Sequence, residues 1–342
     1  MIPTDIANCV LWLKADTGIT QGTATGRVSA WADQSGAGNH FAQGTANKQP
    51  HIYDDPIFGK RICFNPTQTE PHFLTSALPV DTQSFSIFIV SRTTNAVNSN
   101  VVPLFNNTTG AGNGALLYFN YRPCVYNGGS IRYSSRRMNS MLDIQGYCAG
   151  ASDCDLYANT TKTTVSALSS EVGTYASLGR WHSDSDVFLG DMVEVFAYSR
   201  KLTSGEQEDV IEYLRDKHGI VEHTVNTVLL GDSISQGVGA TEARTLPMFL
   251  EIHIPKNVSL LNLGVSGRTW NGIAAAEPQP ISSMPRNIVL GFAGTNDIAG
   301  GDSAATAYAD KITALSPYVG AGWESVTVAM IPRDGITTAR TD

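Results

Sequence analysis

The feature that most constrains the fold of this chain is a change in the pattern of its apolar residues near residue 220. Before this point, short segments of alternating apolar and polar residues lie between clusters of Gly, Asn, Ser and Thr. Examples of these segments are 84–90, 115–121 and 191–198. Because many short alternating strands separated by turns are typical of a β-sandwich, we predict that architecture for the first part.

One helix is predicted near the end of this first part. Thr203 and Glu206 have the spacing of a capping box, and the residues after them carry an apolar stripe at helical spacing. We therefore expect a helix from about 204 to 217, with Gly219 as its stop signal.

After residue 223, compact apolar strands alternate with helical segments. The predicted strands are 225–230, 258–263, 287–292 and 325–331, and a helix is expected over 303–315. This alternation predicts a parallel sheet with helices on its faces. At about 150 residues per domain, a chain of 342 residues is expected to form two domains, which we place at 1–222 and 223–342.

Three polar clusters follow the first three strands of the second domain. They are Gly231-Asp232-Ser233, Gly264-Val265-Ser266-Gly267 and Gly294-Thr295-Asn296-Asp297. Parallel strands present their carboxyl ends at one edge of a sheet, where a serine hydroxyl can act as a nucleophile if a base takes its proton. The backbone N–H groups of Ser233 and Gly267 and the amide of Asn296 would supply three donors to an oxyanion hole. Taken singly, each cluster also fits an ordinary turn or helix cap.

Together, the three clusters resemble the blocks of the SGNH (GDSL) hydrolases, a family of esterases, acetyl-esterases and lipases. The resemblance covers residues 223–342 and implies a flavodoxin-like α/β/α fold with a small parallel sheet. It implies that Ser233 is the nucleophile and that Gly267 and Asn296 are oxyanion donors. Asp232 and Asp297, which flank the site, are expected to hold the loops by hydrogen bonds.

The family's last block, an Asp-x-x-His that supplies the general base, has no counterpart here. None of the seven histidines follows the third cluster, and we interpret His218, His223 and His253 as ordinary surface residues. We therefore expect a truncated member of the family, in which Ser233 is a poor nucleophile. A missing last strand and helix would also leave apolar surface uncovered on the second domain.

The first domain resembles the concanavalin A-like, laminin-G-like (LamG) jelly rolls over about residues 5–220. The segments that carry this resemblance are 10–16, 31–39, 84–90 and 190–203. It implies two curved antiparallel sheets packed face to face. Members of the group often bind glycans, and some use calcium.

The first domain also contains candidate ligand groups, although the sequence shows no ligand site. The aromatic candidates for stacking on sugar rings are Trp12, Trp31 and Trp181, which we interpret as core residues. The carboxylate candidates for calcium are Asp33, Asp54, Asp55 and Asp191, which we interpret as solvated. We expect Asp33 and Ser35 to fix a turn instead, and we predict no cofactor and no metal.

Composition excludes several classes of function. The net charge is −8 with no Lys/Arg-rich run, which argues against nucleic acid as a partner. No apolar run approaches the ~18 residues of a membrane span, and the start lacks the apolar region of a secretory signal peptide. The five cysteines include no CxxC, and we expect reduced, mostly buried thiols, with a Cys148–Cys154 bridge as the alternative.

The sequence therefore leads to two hypotheses. The first is a carbohydrate-directed esterase, an O-deacetylase acting on an acylated polysaccharide, whose activity is impaired in this chain. The alternative is a non-catalytic glycan-binding or adhesion protein, for example a phage-tail or cell-surface module. For either, we expect an extracellular or virion-associated role, while the oligomeric state stays open.

Overall fold

The computed structural model describes residues 2–57, 59–64, 71–93, 102–106, 115–119, 122–127, 130–135, 141–169, 172–181, 187–238, 245–276 and 284–328. The chain forms two compact units. The first comprises most of the residues up to Val221, and the second begins at Glu222 and also takes in Met141.

The first unit consists of short strands followed by one long helix, α1 (Ser204–His218). The first strands are β1 (Cys9–Lys14), β2 (Ile19–Gln21), β3 (Val28–Trp31), β4 (Phe41–Ala42), β5 (His51–Asp55), β6 (Gly59–Phe64), β7 (Leu74–Ser76), β8 (Val80–Asp81) and β9 (Phe85–Thr93). They are followed by β10 (Val102–Asn106), β11 (Ala115–Phe119), β12 (Arg122–Asn127), β13 (Ser130–Tyr133), β14 (Asp143–Ala149), β15 (Asp153–Ala158), β16 (Thr161–Ser166), β17 (Val172–Gly173), β18 (Ala176–Leu178) and β19 (Gly190–Tyr198). Single 3-10 turns lie at Pro3–Asp5 and Ala46–Lys48.

Two large antiparallel sheets make up the first unit. One has the strand order β16-β15-β14-β9-β19-β6-β5, with β1 also paired to β19, and the other has the order β13-β12-β11-β10-β18-β7-β4-β3-β2. Phe85 of the first sheet stacks on Phe105 of the second, with ring centroids 6.0 Å apart. Because apolar side chains from both sheets meet in this way, the unit is a β-sandwich, as predicted.

Helix α1 begins and ends where its sequence signals lie. Thr203 Oγ1 accepts a hydrogen bond from the Glu206 N–H, and the Glu206 carboxylate accepts one from the Thr203 N–H, which completes the predicted capping box. Gly219 ends the helix in the left-handed conformation, with φ of 63°. The apolar stripe of α1, which includes Leu214, packs with Phe196 and Tyr198 of β19, so the helix covers one face of that sheet.

The second unit contains a parallel sheet with helices between its strands. Its strands are β20 (Val225–Gly231), β21 (Val258–Asn262), β22 (Arg286–Phe292) and β23 (Glu324–Thr327). Its helices are α2 (Ser233–Gln236), α3 (Leu246–His253), α4 (Trp270–Ala276), α5 (Thr295–Gly300) and α6 (Ala304–Gly320). The strand order is β21-β20-β22-β23, and all pairs are parallel.

The strand order places a switch point at β20. The chain moves from β20 to β21 on one side and then crosses to β22 on the other. Open α/β sheets bind ligands in the crevice outside the carboxyl ends of the strands at such a point. Gly231, at the end of β20, lies opposite Phe292, at the end of β22, so these two strand ends are level at this edge.

The end of the second unit differs in detail from the prediction. Strand β23 ends at Thr327, four residues before the predicted limit, and residues 329–331 lie outside the described part of the chain. Helix α6 continues to Gly320 rather than ending at 315. Apolar side chains are exposed on β23 and α6, with Val326 48% and Val319 53% exposed. Within the described residues, no helix combines the length and the apolar character needed to span a membrane.

Candidate active site

The three polar clusters lie where β20, β21 and β22 end, and the first of them leads directly into α2. Gly231 ends β20, where a Cβ atom would collide with the Ser235 side chain and lie 2.9 Å from the Phe292 carbonyl oxygen. This close approach explains why glycine occupies the position. Ser233 is the first residue of α2 and is half-buried.

Asp232 connects the first cluster to the third. Its Oδ1 accepts a hydrogen bond from the Ile234 N–H at 3.0 Å and so caps α2. Its Oδ2 accepts one from the Thr295 hydroxyl at 2.9 Å. Asp232 is 2% exposed, and these bonds therefore satisfy a carboxylate that is shielded from water. Asp232 holds the loops together, as the sequence predicts.

The second cluster packs directly against α2. Asn262 donates from Nδ2 to the Ser235 carbonyl oxygen at 2.7 Å, and its Oδ1 accepts from the Gly264 N–H at 3.0 Å. The Val265 N–H donates to the Gly231 carbonyl oxygen at 3.1 Å. A Cβ atom on Gly264 would lie 2.8 Å from the Gln236 nitrogen, so only glycine allows this approach.

The third cluster is hydrogen-bonded to the loop of the second one. Asn296 donates from Nδ2 to the Arg268 carbonyl oxygen at 2.9 Å, and Asp297 accepts through Oδ1 from the Trp270 N–H at 2.9 Å. Gly267, which precedes Arg268, is exposed and has φ of 80°. Asp297 therefore also joins two loops, as the sequence predicts.

A continuous path of bonds thus links the residues that the sequence singles out. Ser233 adjoins Asp232, Asp232 bonds to Thr295, and Asn296 follows Thr295 and bonds to the residue after Gly267. The structure brings the loops of Ser233, Gly267 and Asn296 together at one sheet edge. Their catalytic roles remain predictions.

The Ser233 hydroxyl lacks the hydrogen bonds that the neighbouring polar side chains form within the described residues. Within the described residues, the Ser233 hydroxyl takes part in no hydrogen bond, to histidine or to any other group. His253 is exposed at the end of α3. The interpretation of the other two candidates as surface histidines is wrong, because His223 is buried and the side chain of His218 is 11% exposed and bonded to Glu194.

The aromatic candidates of the first unit have different environments. Trp31 is fully buried and donates from Nε1 to the Lys14 carbonyl oxygen, which confirms its assignment to the core. Trp12 is half-buried, donates from Nε1 to Glu194 at 2.7 Å, and has the Lys14 ammonium 4.7 Å from its ring centroid. Trp181 is half-buried and packs edge-on against Tyr126 at 5.2 Å.

The four carboxylates considered as calcium ligands have different environments in the first unit. Asp33 accepts from the backbone N–H groups of Trp12, Ser35 and Asn39, which confirms the predicted turn. Asp54 is exposed and lies 3.5 Å from Lys60. The interpretation as solvated carboxylates is wrong for Asp33, Asp55 and Asp191, which are buried, and is confirmed for Asp54. Within the described residues, these four carboxylates form no metal-binding group.

Two buried carboxylates of the first unit, Asp191 and Glu194, each lie close to more than one basic side chain. Asp191 lies 3.4 Å from Arg61 and 3.3 Å from Arg92. Burial alone would raise the pKa of Glu194, but hydrogen bonds from His218, Trp12 and Lys217 lower it to about 2. These pairings join residues that are distant in sequence, so the sequence alone did not indicate them.

A cavity of about 400 Å³ in the first unit was also not predicted from the sequence. Basic side chains dominate its charged lining, which consists of Lys14, Asp16, Lys60, Arg61, Arg92, Lys217 and His218. The five cysteines are free, and four of them are buried, which confirms the prediction of reduced thiols over a Cys148–Cys154 bridge.

Comparisons with known proteins find similarity in structure alone. No family model matches the sequence, and no curated protein shows significant similarity to it. The binding domain of Paraclostridial Mosquitocidal Protein 1 is 14% identical with a TM-score of 0.47, over 62% of this chain and 53% of that chain. Domain 4 of AbnA, a GH43 extracellular arabinanase from Geobacillus stearothermophilus solved with arabinotriose, is 11% identical with a TM-score of 0.44, over 60% and 98%.

A third similar structure is the binding domain of botulinum neurotoxin DC in complex with SialylT. It is 10% identical with a TM-score of 0.43, over 61% of this chain and 52% of that chain. This chain spans about half the length of the first structures it matches. Likenesses with TM-scores below 0.5 establish neither a family nor a ligand, and the resemblance of the second unit to SGNH hydrolases stays a prediction.

Proposed function

We propose that the second unit is an ester hydrolase of the SGNH type that removes acyl groups from a carbohydrate, with Ser233 as the nucleophile. The observation that carries this proposal is the path of bonds through Asp232, Thr295 and Asn296 to the carbonyl oxygen of Arg268. If the three loops shared no site, we would not expect buried polar side chains to join them at the switch point of the sheet.

In this proposal, each loop has a separate task in acyl transfer. Ser233 Oγ attacks the ester carbonyl carbon and its proton passes to water, because the described residues place no base in hydrogen-bond contact with it. Without a general base this step is expected to be slow, so the activity is impaired. The carbonyl oxygen becomes an oxyanion that accepts hydrogen bonds from the N–H groups of Ser233 and Gly267 and from the Asn296 amide. The alcohol leaves with a proton, and water then hydrolyses the acyl-enzyme by the same route.

Asn296 is suited to its task because an amide group carries two N–H hydrogens. One of them is used in the bond to the Arg268 carbonyl oxygen, which fixes the plane of the side chain. We assign the Asn296 amide to the substrate oxyanion as the side-chain donor. Donors that are fixed before the reaction need no reorganisation in the transition state, which is the source of their catalytic effect.

The first unit would bring the carbohydrate to this site. A binding module attached to a catalytic one raises the local concentration of a polymeric substrate without any new contact at the reacting atoms. The carbohydrate class rests on the resemblance of the first unit to LamG jelly rolls, and the acyl class on the resemblance of the second unit to acetyl-esterases.

A second candidate function is glycan binding without catalysis. Two observations favour it: the Ser233 hydroxyl has no hydrogen bond within the described residues, and the first unit contains the basic cavity beside α1. Lys14, Lys60 and Lys217 at this cavity suit the carboxylate of an acidic sugar. In this case the full chain would bind acidic polysaccharides in preference to neutral ones, and Lys14→Ala would weaken binding several-fold.

Hydrolysis of p-nitrophenyl acetate by the full chain tests the esterase. We expect Ser233→Ala to reduce the rate to background and Asn296→Ala to reduce kcat by about 10²–10³-fold. Ser325→Ala is the matched control, because Ser325 is an exposed serine on β23 away from the cluster loops. Equal rates for the parent chain and Ser233→Ala would reject the esterase, and polysaccharide binding would then decide the second candidate.

A further inference from the structure

Three carboxylates come together beside the third cluster. Asp297 belongs to α5, Asp302 follows that helix, and Asp310 belongs to α6. One carboxylate oxygen from each lies within 4.8 Å of the other two. Oxygens bound to the same Ca²⁺ at about 2.3–2.6 Å lie no more than about 5 Å apart, so this spacing fits ligands of a single ion.

Asp297 itself indicates that a partner belongs in this group. It is fully buried, and its Oδ2 has no hydrogen-bond partner within the described residues. Its other oxygen, Oδ1, accepts from the Trp270 N–H. A buried carboxylate oxygen without a partner is costly, because it has lost water and gained nothing in return.

The charges around this group are unbalanced. Within the described residues, none of the three aspartates forms an ion pair with Lys, Arg or His. Lys311, the neighbour of Asp310, places its ammonium 4.5 Å from the Tyr308 ring centroid. Burial, together with the negative charges of Asp302 and Asp310, raises the pKa of Asp297.

We propose that Asp297, Asp302 and Asp310 bind one hard divalent cation, Ca²⁺ or Mg²⁺. Three carboxylates supply the oxygen ligands that these ions prefer, and the remaining positions would be filled by water or carbonyl oxygens. The ion would offset the repulsion among the aspartates and supply the missing partner of Asp297. It would also fix the start of α5, where Asn296 lies, and so act as a positioning element for that amide.

Calorimetric titration of the metal-stripped full chain with CaCl₂, and separately with MgCl₂, tests this proposal. We expect one ion per chain and a loss of at least ten-fold in affinity in Asp302→Asn and in Asp310→Asn. Asp216→Asn is the matched control, because Asp216 is an exposed aspartate of α1 in the first unit. Absence of saturable binding below about 10 mM for both ions would overturn the proposal, since even weak extracellular calcium modules bind at about 0.1–1 mM.

Thermal unfolding provides a second readout that a structural aspartate would not produce. In EDTA, Asp302→Asn is expected to raise the unfolding temperature, because it removes a repulsive charge. In saturating Ca²⁺ or Mg²⁺, the same substitution is expected to lower it, because it removes a ligand. If the substitution shifts the temperature equally with and without the ion, the proposal fails, whatever the result of the esterase assay.

Discussion

The two units use buried polar groups in different ways. In the sandwich, the buried carboxylates Asp191 and Glu194 are paired with cations, Asp191 with Arg61 and Arg92 and Glu194 with Lys217. In the parallel-sheet unit, Asp232 and Asp297 accept hydrogen bonds from hydroxyl and N–H groups of neighbouring loops. The first arrangement fixes a scaffold, whereas the second fixes loops at one edge. The comparison indicates that the sheet edge of the second unit is the better candidate for chemistry.

The largest effect expected from this comparison is on the stability of the sandwich. Asp191→Ala removes the carboxylate that lies 3.4 Å from Arg61 and 3.3 Å from Arg92, while Asp55 stays 4.0 Å from Arg61. Removing one partner of a buried ion pair costs at most about 3–5 kcal/mol. Denaturant unfolding of the full chain, with a fluorescence signal from the first unit, measures the loss. Asp54→Ala is the control, because the exposed Asp54–Lys60 pair is expected to contribute less than about 1 kcal/mol. Equal losses in the two variants would contradict the scaffold role of Asp191.

How well sequence predicts structure differs between local and long-range features. The capping box at Thr203 predicted the start of α1 because its hydrogen bonds join residues three apart. The pairing of Asp191 with Arg61 joins residues far apart in the sequence, and nothing local distinguishes it from a solvated carboxylate. The sequence therefore predicted the elements of the sandwich better than its buried charges.

The same limit applies to the second unit. Apolar runs predicted its strands, and their polar ends indicated where Ser233, Gly267 and Asn296 would gather. The short helix α5 was not predicted, because six residues within a polar cluster carry no helical periodicity. The grouping of Asp297 with Asp302 and Asp310 depends on how α5 and α6 pack, which local sequence patterns do not specify.

The next effect is a pH dependence confined to the sandwich. Glu194 has a pKa lowered to about 2, so the stability it contributes is present above its ordinary pKa near 4.5 and is lost as pH falls toward 2. The full loss corresponds to about 3 kcal/mol. Unfolding of the full chain at pH values between 5 and 2.5 measures it, and Glu194→Gln is expected to flatten the dependence for the first unit. A dependence that is unchanged in Glu194→Gln would exclude this carboxylate as its source.

Two histidines extend this acid sensitivity to milder pH. Burial and the nearby charge of Arg27 lower the pKa of His51 to about 4 and that of His72 to about 3. Because the folded state holds both rings neutral, stability is present above pH 6.5 and falls as pH drops toward 4. We expect His72→Gln to reduce the slope between pH 6.5 and 4.5, and an unaltered slope would count against the assignment.

The smallest effect on stability is expected at the loop connections of the second unit. Thr295→Val keeps the shape of the side chain and leaves Asp232 Oδ2 without its hydroxyl donor, at a cost of about 1–3 kcal/mol. Thr313→Val on α6 is the control, because the Thr313 hydroxyl is exposed and, among the described residues, bonds to its own helix alone. If the loops serve the proposed chemistry, Thr295→Val also lowers esterase kcat, whereas Thr313→Val does not. A change in stability without any change in kcat would limit Thr295 to a structural role.

Covalent labelling of Ser233 tests the central claim most directly. A fluorophosphonate probe reacts with serines that are activated in an oxyanion-stabilising site, and peptide mass spectrometry identifies the modified residue in the full chain. Because Ser233 has no general base, we predict slow labelling of Ser233, still less of the exposed Ser266 of the neighbouring loop, and a slower rate on Ser233 in Asn296→Ala. Absence of label on Ser233, or equal labelling of Ser233 and Ser266, would contradict the assignment of this sheet edge as an active site.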